Sequence, residues 1–122
     1  MRQELTLDLA PEPKAPGAAR VAISRALADR LPKLQLNALL TVVNALVTNS
    51  VKHGPGSPIR IHVQLRDDGT LAGEVRDQGA GPVAIRHVDP VKGGTGLKLV
   101  DALTDLWGVQ EGTSNVWFEL ST

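Results

Sequence analysis

Leu5, Leu7 and Leu9 alternate with polar neighbours, a period of two that predicts a half-buried strand stopped by Pro11-Glu12-Pro13. Over residues 16–31 the period lengthens. Ala19, Ile23, Ala26 and Leu27 recur at helical spacing, which predicts a first helix with Pro32 as its stop. A second helix is predicted over 34–53, with Leu36, Leu39, Leu40, Val43, Leu46 and Val47 on one face. Asn37, Thr41, Asn44, Thr48 and Lys52 form its other face, and Gly54-Pro55-Gly56 ends it.

Alternation returns at Ile59, Ile61, Val63 and Leu65. The turn Asp67-Asp68-Gly69 then leads back through Leu71, Gly73 and Val75, the pattern of an antiparallel hairpin. Residues 77–96 are rich in Gly and Pro without periodicity, long for a connection in a compact domain and of the size that is often functional. Leu97, Val100, Leu103 and Trp107 predict a third helix closed by Gly108. A short strand near Val109, a turn at Gly112-Thr113 and the alternation Val116, Phe118, Leu120 complete the chain. Strands with one apolar face need one covering layer, and three striped helices supply it. The expected fold is an α/β two-layer sandwich: a mainly antiparallel mixed sheet covered on one face by about three helices.

The chain of 122 residues fits one domain, 1–122, with no linker. Thirteen Lys and Arg balance thirteen Asp and Glu, which removes the electrostatic footprint of a nucleic-acid binder. The absence of cysteine excludes disulfides, thiol catalysis and thiolate metal sites. The N-terminal residues alternate instead of running apolar, and no window is read as long enough to span a bilayer, so a cytoplasmic protein without membrane contact is expected. Trp107, Trp117 and Phe118 are the only aromatics, too few for a base-stacking platform.

Three features invite chemistry. Successive residues of a helix stand about 100° apart, which puts Asn49 at the margin of the second helix's apolar arc, Ala45 one turn before it and His53 one turn after. A carboxamide oxygen there suits Mg²⁺, a hard cation held by few protein groups plus phosphates and water; an ordinary boundary Asn bonded to backbone is the plainer alternative. Asp77 follows a strand read as climbing out of the core and precedes Gly79-Ala80-Gly81. Its carboxylate is placed to accept from an exocyclic amine such as that of adenine, or else to cap a surface turn. Gly93-Gly94-Thr95-Gly96-Leu97 opens the third helix, where free backbone N–H groups and the helix dipole suit a phosphate; a flexible hinge explains the glycines equally well. The run is neither a Walker A loop nor a dinucleotide fingerprint.

In this order the three features resemble those of the GHKL (Bergerat-fold) ATPases, in particular the histidine-kinase-like domain of the anti-sigma-factor serine kinases. Residues 39–54 are similar to the family's N box, residues 75–81 to its G1 box, Gly94-Thr95-Gly96-Leu97 with Leu99-Val100 to G2, and residues 112–120 to its last strand. The resemblance implies ATP or ADP bound with Mg²⁺, Asn49 serving the metal and Asp77 the adenine amine. It also implies that Gly79 and Gly81 shape the adenine pocket and that Gly94, Thr95, Gly96 and Leu97 line the phosphates. Lys52, His53 and Lys92 match basic positions near the phosphates, and Thr113 a hydroxyl on the adenine side. For His53, a helix-terminal histidine bonding free carbonyls is an equal explanation.

One position departs from the pattern. The family's general-base glutamate stands one turn before the metal-binding Asn, and here that position is Ala45, on the border of the polar face. A methyl group accepts no proton, so no catalytic residue is assigned. The reading is an ATP- or ADP-binding regulatory protein that contacts a sigma factor or an anti-sigma antagonist with weak or absent phosphoryl transfer. The alternative is an active serine/threonine-protein kinase acting on such an antagonist; a homodimer stays open.

Overall fold

A computed structural model describes residues 3–53, 56–77, 95–109 and 115–121, with backbone only at 53 and 95–97. In chain order the elements are β1 (Gln3–Leu9), α1 (Ala15–Leu27), α2 (Lys33–His53), β2 (Ile59–Leu65), β3 (Leu71–Arg76), α3 (Thr95–Leu103), β4 (Leu106–Val109) and β5 (Val116–Leu120). The strands form one sheet in the order β1-β2-β3-β5-β4. Each adjacent pair is antiparallel, so the described sheet is antiparallel throughout and not mixed.

Alternation decides which face is inside. Ile59, Ile61 and Val63 of β2, Leu71 and Val75 of β3, and Val116, Phe118 and Leu120 of β5 are buried on one side, with Leu5, Leu7 and Leu9 of β1 packed at its edge. The helices lie in a row over that side: α1 by β1, α2 by β3 and β5, α3 by β4. Ala19, Ile23 and Leu27 of α1 and Leu39, Val42, Val43, Leu46 and Val47 of α2 complete one core. The opposite sheet face is polar. There Arg60 Nε donates to Asp8 Oδ1 at 2.8 Å, and Gln64 Nε2 to Glu4 Oε1 at 3.2 Å, each across a directly paired β1–β2 position. The β2–β3 turn closes with Arg66 N–H to Thr70 carbonyl, and Gly69 takes φ 89°, a conformation that favours glycine.

Three expectations need correction. Helix α1 stops at Leu27, four residues short of 31. The Arg30 N–H turns back to the Leu27 carbonyl, and Leu31, preceding Pro32, is held out of helical geometry by the proline ring. Trp107 and Gly108 belong to strand β4, not to the third helix. Both the N–H and the hydroxyl of Thr104 bond the Val100 carbonyl, and the Asp105 N–H already donates to Glu119 of β5, which draws the chain into the sheet. Finally, the 20 residues Lys33–Lys52 are long and apolar enough to cross a membrane by length and composition, contrary to the reading of the sequence. In this fold their apolar stripe is spent on the core.

Candidate functional site

Strand register decides which ends of the elements meet. Arg60 pairs with Arg76, so β2 begins where β3 ends; Val75 pairs with Val116 and Val109 with Val116, so β5 begins and β4 ends there too. Helix α2 ends at His53 and β2 starts at Ile59, so the short connection between them brings the C-terminal turns of α2 to the same end of the sheet. Helix α3 leaves its last turn at the far end, beside the start of β4, and therefore starts at the near end. One end of the sheet thus gathers Asn49, Lys52 and His53 of α2, Asp77 after β3, and Thr95, Gly96 and Leu97 opening α3. Gly79, Gly81, Lys92, Gly94 and Thr113 lie outside the described residues.

Asp77 does not climb out of the core. It keeps the inward parity of Leu71, Gly73 and Val75 and is only 8% exposed. A carboxylate so placed is costly unless polar groups meet it, and it does take part in a polar contact. This position distinguishes it from a surface-turn cap, which would stand in water.

Asn49 is half-buried on α2 and its carboxamide bonds no described residue. Ala45, one turn earlier, is 8% exposed, and so is more enclosed than a border position would be. It is nonetheless absent from the contiguous apolar core that holds Val43, Leu46 and Val47. The stripe 45–49 therefore runs beside the core and not within it. Among the described residues no three His, Asp or Glu side chains converge as an all-protein metal cage. A single neutral oxygen from Asn49 fits a cation that takes most of its ligands from phosphate and water. Lys52 is exposed one turn from Thr48, near the carbonyl end of α2, where a cation is favoured.

Two polar contacts escaped the reading of the sequence. Asn44, the neighbour of Ala45, accepts a hydrogen bond from the Arg20 guanidinium of α1, which ties the first helix to the second. Asn115, nearly fully buried ahead of β5, donates to Glu74 Oε2 at 3.1 Å and pins β5 to β3 at the site end of the sheet. Both link residues far apart in the chain, so no local spacing announces them.

A family model described as histidine kinase-, DNA gyrase B-, and HSP90-like ATPase matches residues 35–122, from the first turn of α2 to the end of the chain. A search of curated protein sequences finds no match. Among solved structures, the crystal structure of the RsbU and RsbW domains of Rv1364c from Mycobacterium tuberculosis is similar over 96% of this chain, with a TM-score of 0.72 and 20% identity. This chain covers 31% of that one, and the likeness is one of fold. The match takes in α2, Asp77 with the segment after it, α3 and the closing strand pair, and by it the chain belongs to the histidine kinase-, DNA gyrase B- and HSP90-like ATPase family.

Proposed function

We propose that the chain binds ATP or ADP with Mg²⁺ at this end of the sheet. It acts as a regulatory protein through contact with a protein partner, a sigma factor or an anti-sigma antagonist, with weak or absent phosphoryl transfer. The observation that carries the reading is the inward, nearly buried carboxylate of Asp77, in a chain of this family, at the sheet end where α2 and α3 meet. An RsbW domain of the same fold supports the regulatory part of the proposal.

Each residue has a separate task. Asp77 accepts a hydrogen bond from the adenine amine, where guanine would present a carbonyl. Gly79 and Gly81 leave room beside the base, and Thr113 offers a hydroxyl on that side. Asn49 gives its amide oxygen to Mg²⁺. Gly94, Thr95, Gly96 and Leu97 supply backbone N–H groups at the start of α3, Lys52 and Lys92 supply positive charge, and His53 offers a ring N–H toward phosphate. Bound Mg²⁺–ATP supplies a transferable phosphoryl group. Ala45 supplies no base to the hydroxyl that would attack it, which separates binding from transfer.

Calorimetry with ATP, ADP and GTP on the wild type and on Asp77→Asn tests the pocket. The amide keeps the shape of the carboxylate but loses its charge and one of its two acceptor oxygens, which removes the charge-assisted bond to the adenine amine. ATP and ADP should each bind at least about tenfold more weakly to the variant, the scale of one lost buried hydrogen bond to a charged group. GTP should bind the wild type poorly. Equal affinity for ATP and GTP, or an Asp77→Asn protein with unchanged ATP affinity, would remove the assignment.

A further inference from the structure

The sheet ends on two edges, and they are unequally guarded. At one edge β4 is four residues long and includes Gly108, a short and weak rail for a further strand. At the other, β1 runs for seven residues, each paired one to one with β2 and none extra to form a bulge. It contains neither lysine nor proline, the residues with which edge strands commonly repel additional strands. In an antiparallel ladder successive residues turn their N–H and carbonyl groups to opposite sides. Those of every second residue of β1 therefore point away from β2, and among the described residues no hydrogen bond takes them.

The side chains are left incomplete at the same place. Leu5, Leu7 and Leu9 pack against the core but are only half-buried, whereas the residues they pair with on β2, Val63, Ile61 and Ile59, are no more than 1% exposed. The outer face of β1 presents Glu4, Thr6 and Asp8, all exposed, with acids and no base among them. Asp8 accepts from Arg60 at 2.8 and 3.3 Å, and Glu4 meets Gln64 and His62 through Oε1 alone. Those partners all stand on β2, so on the open side the two acids face water. A second copy of β1 suits this edge badly. Twofold symmetry makes such a pairing antiparallel, and the register that uses all seven residues sets Glu4 against Asp8 of the other copy, twice. Like charges directly opposite one another destabilise a ladder, and opposite charges stabilise it.

We propose that the outer edge of β1 accepts an extended segment of a protein partner, with valine or isoleucine alternating with lysine or arginine, as a further strand of the sheet. This rests on the reading of the chain as one that acts through a protein partner. Main-chain hydrogen bonds along roughly 23 Å of strand hold the segment, and its alternate side chains select it. The inward apolar residues cover Leu5, Leu7 and Leu9. The outward bases lie opposite Glu4 and Asp8.

The probe is a fluorescein-labelled peptide of the length of β1, seven residues, with valine and lysine alternating. One control peptide has glutamates in place of the lysines, and another gathers the valines into a block. Binding is followed by anisotropy and located by amide chemical shifts of the full chain. The lysine peptide should bind, weaken as salt is raised, and shift the amides of β1 most. Methylation of its backbone nitrogens at alternate positions decides whether a strand forms. One alternate set should lower affinity at least about tenfold and the other should change it little, because only one set of N–H groups faces β1. Glu4→Lys with Thr6→Lys should weaken the lysine peptide at least about tenfold and reverse the preference toward the glutamate peptide. Both side chains are exposed, and unchanged melting curves check that the variant folds. Failure of the lysine peptide to bind, equal binding of the glutamate or block peptide to the wild type, equal effects of the two methylation sets, or shifts confined to another surface overturns the proposal. A wild-type dimer that protects the β1 amides from exchange overturns it too, since a second copy then occupies the edge. ATP affinity is measured alongside. Peptide binding without ATP binding refutes the nucleotide reading alone, and ATP binding without peptide binding refutes this proposal alone.

Discussion

A methyl group at position 45 stands one helical turn from Asn49, on a stripe of α2 that lies beside the apolar core without joining it. A glutamate placed there would project along the same stripe as the proposed metal ligand. Enclosure would raise its pKa and make it a better proton acceptor near neutral pH than an exposed carboxylate. Ala45→Glu should therefore increase ATP turnover over the wild type by up to about 10²–10⁴-fold, the range of a positioned general base. Phosphate release at matched nucleotide occupancy measures it. From sequence alone the substitution is expected to cost little stability, since both residues favour helix and the site borders the polar face. The burial of Ala45 changes that, and a cost of about 1–3 kcal/mol is expected from overpacking, readable in thermal melts. A wild type that already turns over as fast as the variant would replace the regulatory reading with the active-kinase one.

Strands β3 and β5 meet at a seam where one residue makes room for another. Gly73 pairs with Phe118 across the ladder, and a Cβ at Gly73 would stand 2.9 Å from both Cε1 and Cε2 of the ring and nearer still to Cζ. The ring fills the place of the missing side chain, as aromatics do over strand glycines. Gly73→Ala should push Phe118 out of the core and cost about 1–3 kcal/mol, or roughly 5–15 °C in Tm. An unchanged Tm would mean that the seam yields freely. This seam also shows what a sequence discloses. The sequence reads as leaving the core before Asp77, and it took the structure to show that strand parity carries this carboxylate inward. The alternation of Leu71, Gly73 and Val75 does mark the strand and its inner face. Helix α2 was legible in the same way. The end of α3 was not, because Leu97, Val100, Leu103 and Trp107 keep helical spacing while Thr104 makes the last helical bond, to Val100, and Asp105 turns its N–H to Glu119 of β5. Nor was the Arg20–Asn44 link between helices, which joins residues 24 apart. Of the candidate site, the resemblance names the box residues, whereas the meeting of the end of α2, Asp77 and the start of α3 at one end of the sheet depends on sheet order, which no local pattern encodes.

At the scale of the molecule, acid acts on the sheet's seams before its core. Three exposed aspartates tie those seams, and each has its pKa lowered from 3.8. Asp8 is held down by the hydrogen bond and charge of Arg60, which joins β1 to β2; Asp68 by the Thr70 N–H and hydroxyl in the β2–β3 turn; Asp105 by the hydroxyl of Ser121 and by its N–H, which donates at 2.7 Å after β5. A carboxyl with a folded pKa below its unfolded value stabilises the fold fully above the unfolded pKa and loses that contribution as pH falls through the folded one. Stability from these three groups should thus be constant from neutrality down to about pH 5 and decline below about pH 4. Each contribution is small because the groups are in water, and the Asp8–Arg60 share should shrink further in high salt. Amide hydrogen exchange as a function of pH separates the seams from the core. Protection along β1, at the β2–β3 turn and at the end of β5 should fall first, while the middle of α2, packed by Leu39, Val43 and Leu46, keeps its protection until the molecule unfolds as a whole. Asp105→Asn should flatten the acid limb of the β5 amides and leave those of β1 unchanged, since the two seams share no partner. If α2 instead loses protection together with the seams at every pH, the sheet and helices melt as one unit and the aspartates set no order of events.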